Sequence, residues 1–270
     1  MSGRIVAVLG AGTMGELVLA GLLRGGHPAD RALASARRPA RAEELRAAHG
    51  VRVVDNATAA AEAEVLVIGV KPQDADALLR EAAPHVRPGT LVVSLCAGLT
   101  TEFFARRLPE GTPVVRVMTN TPALAGAAIS AISPGAHATD EHVTLAEELF
   151  RPLGAVLRVP ENQQDAVTAV SGSGPAYVFL FVEAMIEAGV HLGLPRRTAR
   201  ELAVQTALGS ATMLRDSGEH PVTLREAVTS PAGTTAAALA ELERHGLRAA
   251  VLDALAAARD RAIALAAQNT

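Results

Sequence analysis

Three glycines near the start of the chain are spaced for phosphate chemistry. Gly10, Gly12 and Gly15 form Gly-x-Gly-x-x-Gly within the run Gly10-Ala11-Gly12-Thr13-Met14-Gly15. The residues before them, Ile5–Leu9, are a short apolar run with β-branched side chains, the composition of a strand buried on both faces. Glu16–Leu23 after them reads as a helix. In that order Gly10 permits a tight strand-to-helix turn, Gly12 lets backbone approach a pyrophosphate, and Gly15 lets helix and strand pack closely. Free N–H groups and the positive end of the helix dipole then face the phosphates. Such a triplet also serves elsewhere as an ordinary turn. The strand before it and the helix after it favour the dinucleotide, so Gly10–Met14 are predicted to cradle one.

The residues about twenty positions further on decide which dinucleotide fits. An Asp or Glu there would hold a ribose 2′-hydroxyl. This chain has Ser35-Ala36-Arg37-Arg38 instead. A small hydroxyl followed by guanidiniums suits a 2′-phosphate, because Arg offers bidentate donors to its oxygens. NADP is therefore favoured over NAD, the alternative being a solvated basic turn. Two further loops fall at the carboxyl ends of predicted strands, where open α/β sheets bind ligands. They are Val70-Lys71-Pro72 and Cys96-Ala97-Gly98. Lys71 reads either as a general acid or as a surface charge. Cys96 reads as a small buried thiol rather than a nucleophile. Asn120 and Thr121 offer hydrogen bonds to a substrate or to the nicotinamide amide, and equally good turn chemistry. In Val228-Thr-Ser-Pro-Ala-Gly-Thr-Thr235, Pro231 and Gly233 break one helix, and Ser230, Thr234 and Thr235 sit where the next begins. That is either a cradle for a small carboxylate or a capped helix corner. The eight histidines are scattered without ligand spacing, so no metal site is predicted. No Gly-x-Ser-x-Gly elbow supports a hydrolase.

The elements that must position these residues alternate. Strands are predicted at Ala32–Ser35, Val51–Val54, Val65–Val70, Leu91–Leu95, Val114–Met118, Ala127–Ile132 and Ala155–Val159, with helices at Pro39–His49 and Glu141–Leu149. Strand, helix, strand at this spacing predicts an α/β fold with a doubly wound parallel sheet covered on both faces. From about Asn162 strands stop and helix punctuation takes over. Pro175, Pro195, Pro221 and Pro231 start helices, and glycines end them. The chain therefore divides into a dinucleotide-binding domain, 1–161, and an all-α domain, 162–270. The helix near Ala176–Ala188 is apolar nearly all round and wants burial on every side, which predicts that the second domain interlocks with a second copy, the alternative being that it packs against the sheet domain of its own chain.

Bulk properties set the outer limits. The chain has 270 residues, 49% of them hydrophobic, with five Phe, one Tyr and no Trp, so its core is built from Ala, Leu and Val. A formal net charge of −3 gives no footprint for nucleic acid or an anionic membrane. The single cysteine suits a reducing cytosol. The longest charge-free apolar stretch, 166–182, contains Gly172, Gly174 and Pro175 and reads as too short and too broken to span a bilayer. The first apolar run is too short for a signal peptide. These readings predict a cytoplasmic protein.

Taken together, the motifs resemble those of the pyrroline-5-carboxylate reductases. The resemblance covers nearly the whole chain. It rests on Gly10–Gly15, Val70-Lys-Pro-Gln73, Arg116-Val-Met118 with Asn120-Thr-Pro122, Ser171-Gly-Ser-Gly-Pro-Ala-Tyr177 and, most specifically, Val228–Thr235. It implies reduction of the cyclic imine 1-pyrroline-5-carboxylate to L-proline with NAD(P)H, the last step of proline synthesis. It also implies a Rossmann domain and a helical domain that interleaves into homodimers, often five dimers in a ring. By the same resemblance Ser35, Arg37 and Asn56 meet the adenosine end of the cofactor, and Val70, Lys71, Pro72, Cys96 and Ala97 its nicotinamide half. Ser230, Gly233, Thr234 and Thr235 hold the substrate with Glu161 at its edge, and Thr235 hydrogen-bonds the ring nitrogen. Two departures stand out: Thr119 replaces a usual proline, and Ala232 replaces a usual glycine. A β-hydroxyacid dehydrogenase shares this plan but needs a lysine in the helical domain, and Lys71 is the only lysine in the chain. A dinucleotide sensor without turnover is the other alternative.

Overall fold

The computed structural model describes residues 3–267. Eight strands, β1 (Val6–Leu9), β2 (Ala32–Ala34), β3 (Arg52–Val53), β4 (Val65–Ile68), β5 (Leu91–Ser94), β6 (Val114–Met118), β7 (Ala128–Pro134) and β8 (Gly154–Arg158), form one sheet. Its order is β3-β2-β1-β4-β5-β6-β7-β8. The chain builds outward from β1 to β3 and returns to place β4 on β1's other side. That reversal opens a crevice beyond the carboxyl ends of β1 and β4.

Helices α1 (Thr13–Arg24), α2 (Pro39–His49), α3 (Asn56–Glu62), α4 (Pro72–Ala82), α5 (Thr101–Ala105) and α6 (Asp140–Phe150) connect the strands. Every residue of β1, β4 and β5 is buried. Alternate residues serve opposite faces, as the two-residue period of a strand requires. Val6, Val8, Val65, Val67 and Val93 pack with Leu17 and Leu22 of α1 and Leu149 and Phe150 of α6. Ala7, Leu9, Leu66, Ile68 and Val92 pack with Ala59 of α3, Leu79 of α4 and Phe104 of α5. This is the Rossmann-type doubly wound arrangement. It departs from the all-parallel expectation at the last two strands: β7 runs antiparallel to β6, and β8 shares the direction of β7. The nine residues 119–127 between them hold only a 3-10 turn, Thr121–Ala125, and are too few for a helical crossover. Helix α6 supplies one afterwards, and β8 returns parallel to β7.

The described chain forms two compact units. One contains the residues through Ser173 together with those from Ala257 on, and the other is Gly174–Ala256. The first unit thus runs past residue 161 and also takes the last turns of the chain. It continues through α7 (Gln164–Val167) and a π-helical turn, Thr168–Gly172, because Gln164 is fully buried and bonds Ala131 O and Ser133 Oγ of β7. The second unit holds α8 (Gly174–His191), α9 (Arg196–Ser217), α10 (Pro221–Ala227), α11 (Thr234–Arg244) and the start of α12 (Leu247–Ala267). No residue of α8 is buried. Phe179, Leu180, Leu192, Leu208 and Leu252 all stand exposed. Apolar surface on that scale marks an interaction face. Helical residues run from Glu161 to His191 with a bend at Ser173, long and apolar enough to cross a membrane by length and composition. The charge-free stretch 166–182 is part of this longer run, and the break expected within it falls at Ser173.

Cys96, just past β5, is 2% exposed. Its Sγ donates to Val70 O at 3.3 Å, and burial pushes the thiol up to about 12. Thiolate is the reactive form. The native protein is therefore expected to resist a thiol-specific reagent at mildly alkaline pH and to react with one equivalent after denaturation. Rapid modification of the native protein would contradict this placement.

Candidate active site

At the end of β1 the backbone turns with no room for side chains. Gly10 has φ +71°, and a Cβ there would lie 2.1 Å from Cγ1 of Val70. A Cβ on Gly15 would lie 2.9 Å from Gly10 O. Helix α1 begins at Thr13 with Gly12 at its cap and no side chain bonded to its first N–H groups. Those donors are the ones a pyrophosphate would take.

The residues predicted for the adenosine end meet at the same turn. Ser35 Oγ accepts from Gly10 N at 3.2 Å and donates to Asn56 Oδ1 at 2.6 Å. Asn56 Nδ2 in turn donates to Glu81 at 2.7 Å. Arg37 is largely in solvent, with its side chain 89% exposed and its guanidinium 3.9 Å from Asp74. It is therefore free to turn onto a phosphate. Arg41, read from the sequence only as part of a charged helix, also reaches this turn. Its Nε donates to Ala11 O at 3.3 Å, and it pairs with Glu16, which also meets His49 at 3.0 Å. Burial works against the Glu16 charge, yet the hydrogen bonds from Arg41 and His49 hold its carboxyl below the ordinary range.

Beside this turn lie the other two predicted loops. Strand β4 pairs with β1 and with β5, so Val70–Pro72 and Cys96–Ala97 leave the sheet at the same edge as Gly10. The Cys96 thiol links them through Val70 O. Lys71 is exposed and caps α4 without a side-chain bond. Of the two readings for Asn120, the structure favours the turn. Its amide is buried, donating to Ser171 O at 3.0 Å and accepting from Ile129 N at 3.1 Å.

Glu161 lies in this same unit. Its Oε1 accepts from Thr101 N at 2.7 Å and its Oε2 from the Thr101 hydroxyl at 2.6 Å. Arg116 Nη1 is 3.7 Å from it, and Asp165 is 3.6 Å from Arg116 Nη2. Arg116 and Thr101 escaped the residue-level reading. The available signal was the lone charge in the apolar strand Val114–Met118.

The other four residues predicted for substrate share one corner of the helical unit, between α10 and α11. Gly233 N donates to Ser230 O at 3.0 Å, and Gly233 caps α11 with no side-chain bond. A Cβ at Gly233 would lie 2.4 Å from Ser230 Oγ, so the hydroxyl stands directly over the helix start. Thr234 and Thr235 are the first two residues of α11. Their N–H groups have no intrahelical acceptor, which suits a carboxylate. Ala232 adopts φ 55° and is the one positive-φ residue other than glycine among the described residues. An L side chain there costs roughly 1–2 kcal/mol, so the surrounding corner must enforce the conformation.

Residues 161–265 match the family described as pyrroline-5-carboxylate reductase dimerisation, and residues 5–98 match that described as NADP oxidoreductase coenzyme F420-dependent. The match at 161–265 takes in the long apolar helical run, which identifies that run with a dimerisation domain. The chain is 43% identical over 279 residues to a pyrroline-5-carboxylate reductase of Mycobacterium tuberculosis, covering 95% of each chain. It is 41% identical to one of Pseudomonas aeruginosa, covering 99% of each. Among solved structures, a pyrroline-5-carboxylate reductase from Coxiella burnetii superposes with a TM-score of 0.90 at 35% identity, covering 96% of this chain and 97% of the other. A Plasmodium falciparum pyrroline carboxylate reductase with NADP bound gives 0.89 at 27%, covering 98% and 99%. Likeness of that extent, over both the sheet and the helical corner, has one reading: the chain belongs to the pyrroline-5-carboxylate reductase family.

Proposed function

We propose that this protein reduces 1-pyrroline-5-carboxylate to L-proline at the expense of a nicotinamide cofactor, the closing step of proline biosynthesis. The observation that carries the reading is the uncapped start of α11, where Ser230, Gly233, Thr234 and Thr235 converge. Its backbone N–H groups and hydroxyls match a small carboxylate, and family membership supplies the imine to which that carboxylate is attached. Gly10–Met14, Ser35, Arg37 and Asn56 hold the phosphates and adenosine of the cofactor, and Val70–Pro72 with Cys96 and Ala97 line its redox half. The cofactor, when bound, supplies hydride. The residues' task is placement: a protonated C=N is already electrophilic, so orientation matters more than strong acid catalysis. The Thr235 hydroxyl bonds the ring nitrogen, and the N–H groups at Gly233 and Thr234 keep the carboxylate in register. Glu161, assigned by resemblance to the substrate's edge, acts there alongside its bonds to Thr101.

In this proposal 1–161 is the cofactor domain and 162–270 the substrate and dimerisation domain. Ser35 and the solvent-exposed Arg37 favour NADPH over NADH. The protein works in the cytoplasm as a homo-oligomer built from dimers, with five dimers as the complete ring.

Four outcomes test the reading. Consumption of NADPH in the presence of pyrroline-5-carboxylate, with proline as product, is expected of the wild type, and its absence would leave a dinucleotide-binding sensor. Thr235→Ala is expected to lower kcat roughly ten- to a thousandfold, while Thr235→Ser retains most of it. Arg37→Ala is expected to raise KM for NADPH about tenfold or more and leave KM for NADH nearly unchanged. Light scattering on the purified protein should give the mass of ten chains; a dimer mass would remove the ring and leave the rest standing.

A further inference from the structure

The turn Cys96–Gly98 is anchored at both ends by groups that lie outside it. At one end the Cys96 thiol donates to Val70 O at 3.3 Å. At the other, three residues past Gly98, Thr101 opens α5. Thr100 caps that helix by accepting from Phe103 N at 3.2 Å. Glu161 adds a second hold from sixty residues away in sequence, with both carboxylate oxygens on Thr101, one on its N–H and one on its hydroxyl. Between these anchors the turn closes through Leu99 N to Cys96 O at 3.3 Å, and Leu99 is fully buried.

Behind Glu161 stands Arg116. It is 4% exposed in the middle of β6, with Glu161 3.7 Å from one terminal nitrogen and Asp165 3.6 Å from the other. Its Nε and Nη2 have no hydrogen-bond partner among the described residues. Those separations are too long for hydrogen bonds and short enough for Coulomb attraction between a buried guanidinium and two partly exposed carboxylates. Arg116 therefore acts on the two carboxylates through its charge, allowing them to stand together beside a buried strand. Without it, Glu161 and Asp165 would lose the cation they share, and the hold of Glu161 on Thr101 would weaken.

We propose that Arg116 is a positioning residue for the cofactor. By holding Glu161 in line it fixes Thr101, and through Thr101 the Cys96–Gly98 turn, in the shape that receives the nicotinamide half. The inference rests on the assignment of Cys96 and Ala97 to that half of the cofactor. It gives a side chain assigned to neither reactant control over NADPH affinity.

The test is NADPH binding to the full-length oligomer by calorimetry, without imine, for the wild type, Arg116→Gln, Arg116→Lys and Thr101→Val. Arg116→Gln is expected to raise Kd roughly three- to thirtyfold, and Arg116→Lys to recover most of the loss by restoring the charge. Thr101→Val should shift Kd in the same direction by less, because the backbone N–H tie to Glu161 remains. In steady state, KM for NADPH should rise more than KM for the imine at saturating NADPH, because Glu161, also assigned to the imine's edge, shifts with it. Unchanged NADPH affinity in both Arg116→Gln and Thr101→Val would overturn the proposal. So would a rise confined to Arg116→Gln, because the relay through Thr101 would then be broken. If Arg116→Gln does not fold, Thr101→Val decides alone. Failure of the underlying functional reading looks different: the wild type itself would bind no NADPH.

Discussion

The end of β1 admits backbone and nothing else, and the cofactor half of the molecule is built on that restriction. A methyl group at Gly10 would strike Val70, and one at Gly15 would strike the Gly10 carbonyl. The space those side chains leave is what allows α1 to begin directly behind the strand with its first N–H groups unused. The same closeness brings the loop after β4 against the turn after β1. Ser35 then completes the arrangement from β2, with one hydroxyl bridging Gly10 and Asn56. Three loops far apart in sequence thus share one small volume because the chain leaves out side chains where they would collide.

How much of this was legible beforehand depends on the range of the interaction. Local signals served well: Pro39–His49 and Val114–Met118 run between the same residues in the structure as in the sequence-based expectation. The direction of β7 was not local. It follows from the length of the preceding connection, 119–127, which periodicity does not weigh. Arg116 was hidden for a related reason. A charge in a buried strand is explained only by partners some fifty residues away, Glu161 and Asp165, and no spacing rule connects them. Asn120 carried two good readings, and only the positions of Ser171 and Ile129 separate them. Ala232 could be flagged as a departure from sequence, but its positive φ is a property of the folded corner.

The helical unit presents the opposite economy. Where the central strands β1, β4 and β5 bury every residue, α8 buries none, and large residues such as Phe179 of α8 and Leu252 of α12 remain exposed in the single chain. A dimerisation domain explains why these helices keep such faces. Its association then stabilises the fold of the same unit that carries the Ser230–Thr235 corner. Folding of that corner and association of chains are therefore linked by mass action.

The chain also carries one ammonium side chain, that of Lys71, exposed ahead of α4 and among the loops at the carboxyl edge of the sheet. Amine-directed chemistry consequently has a single side-chain target in the entire polypeptide. A fluorophore or cross-linker directed at side-chain amines therefore attaches beside the crevice without mutagenesis.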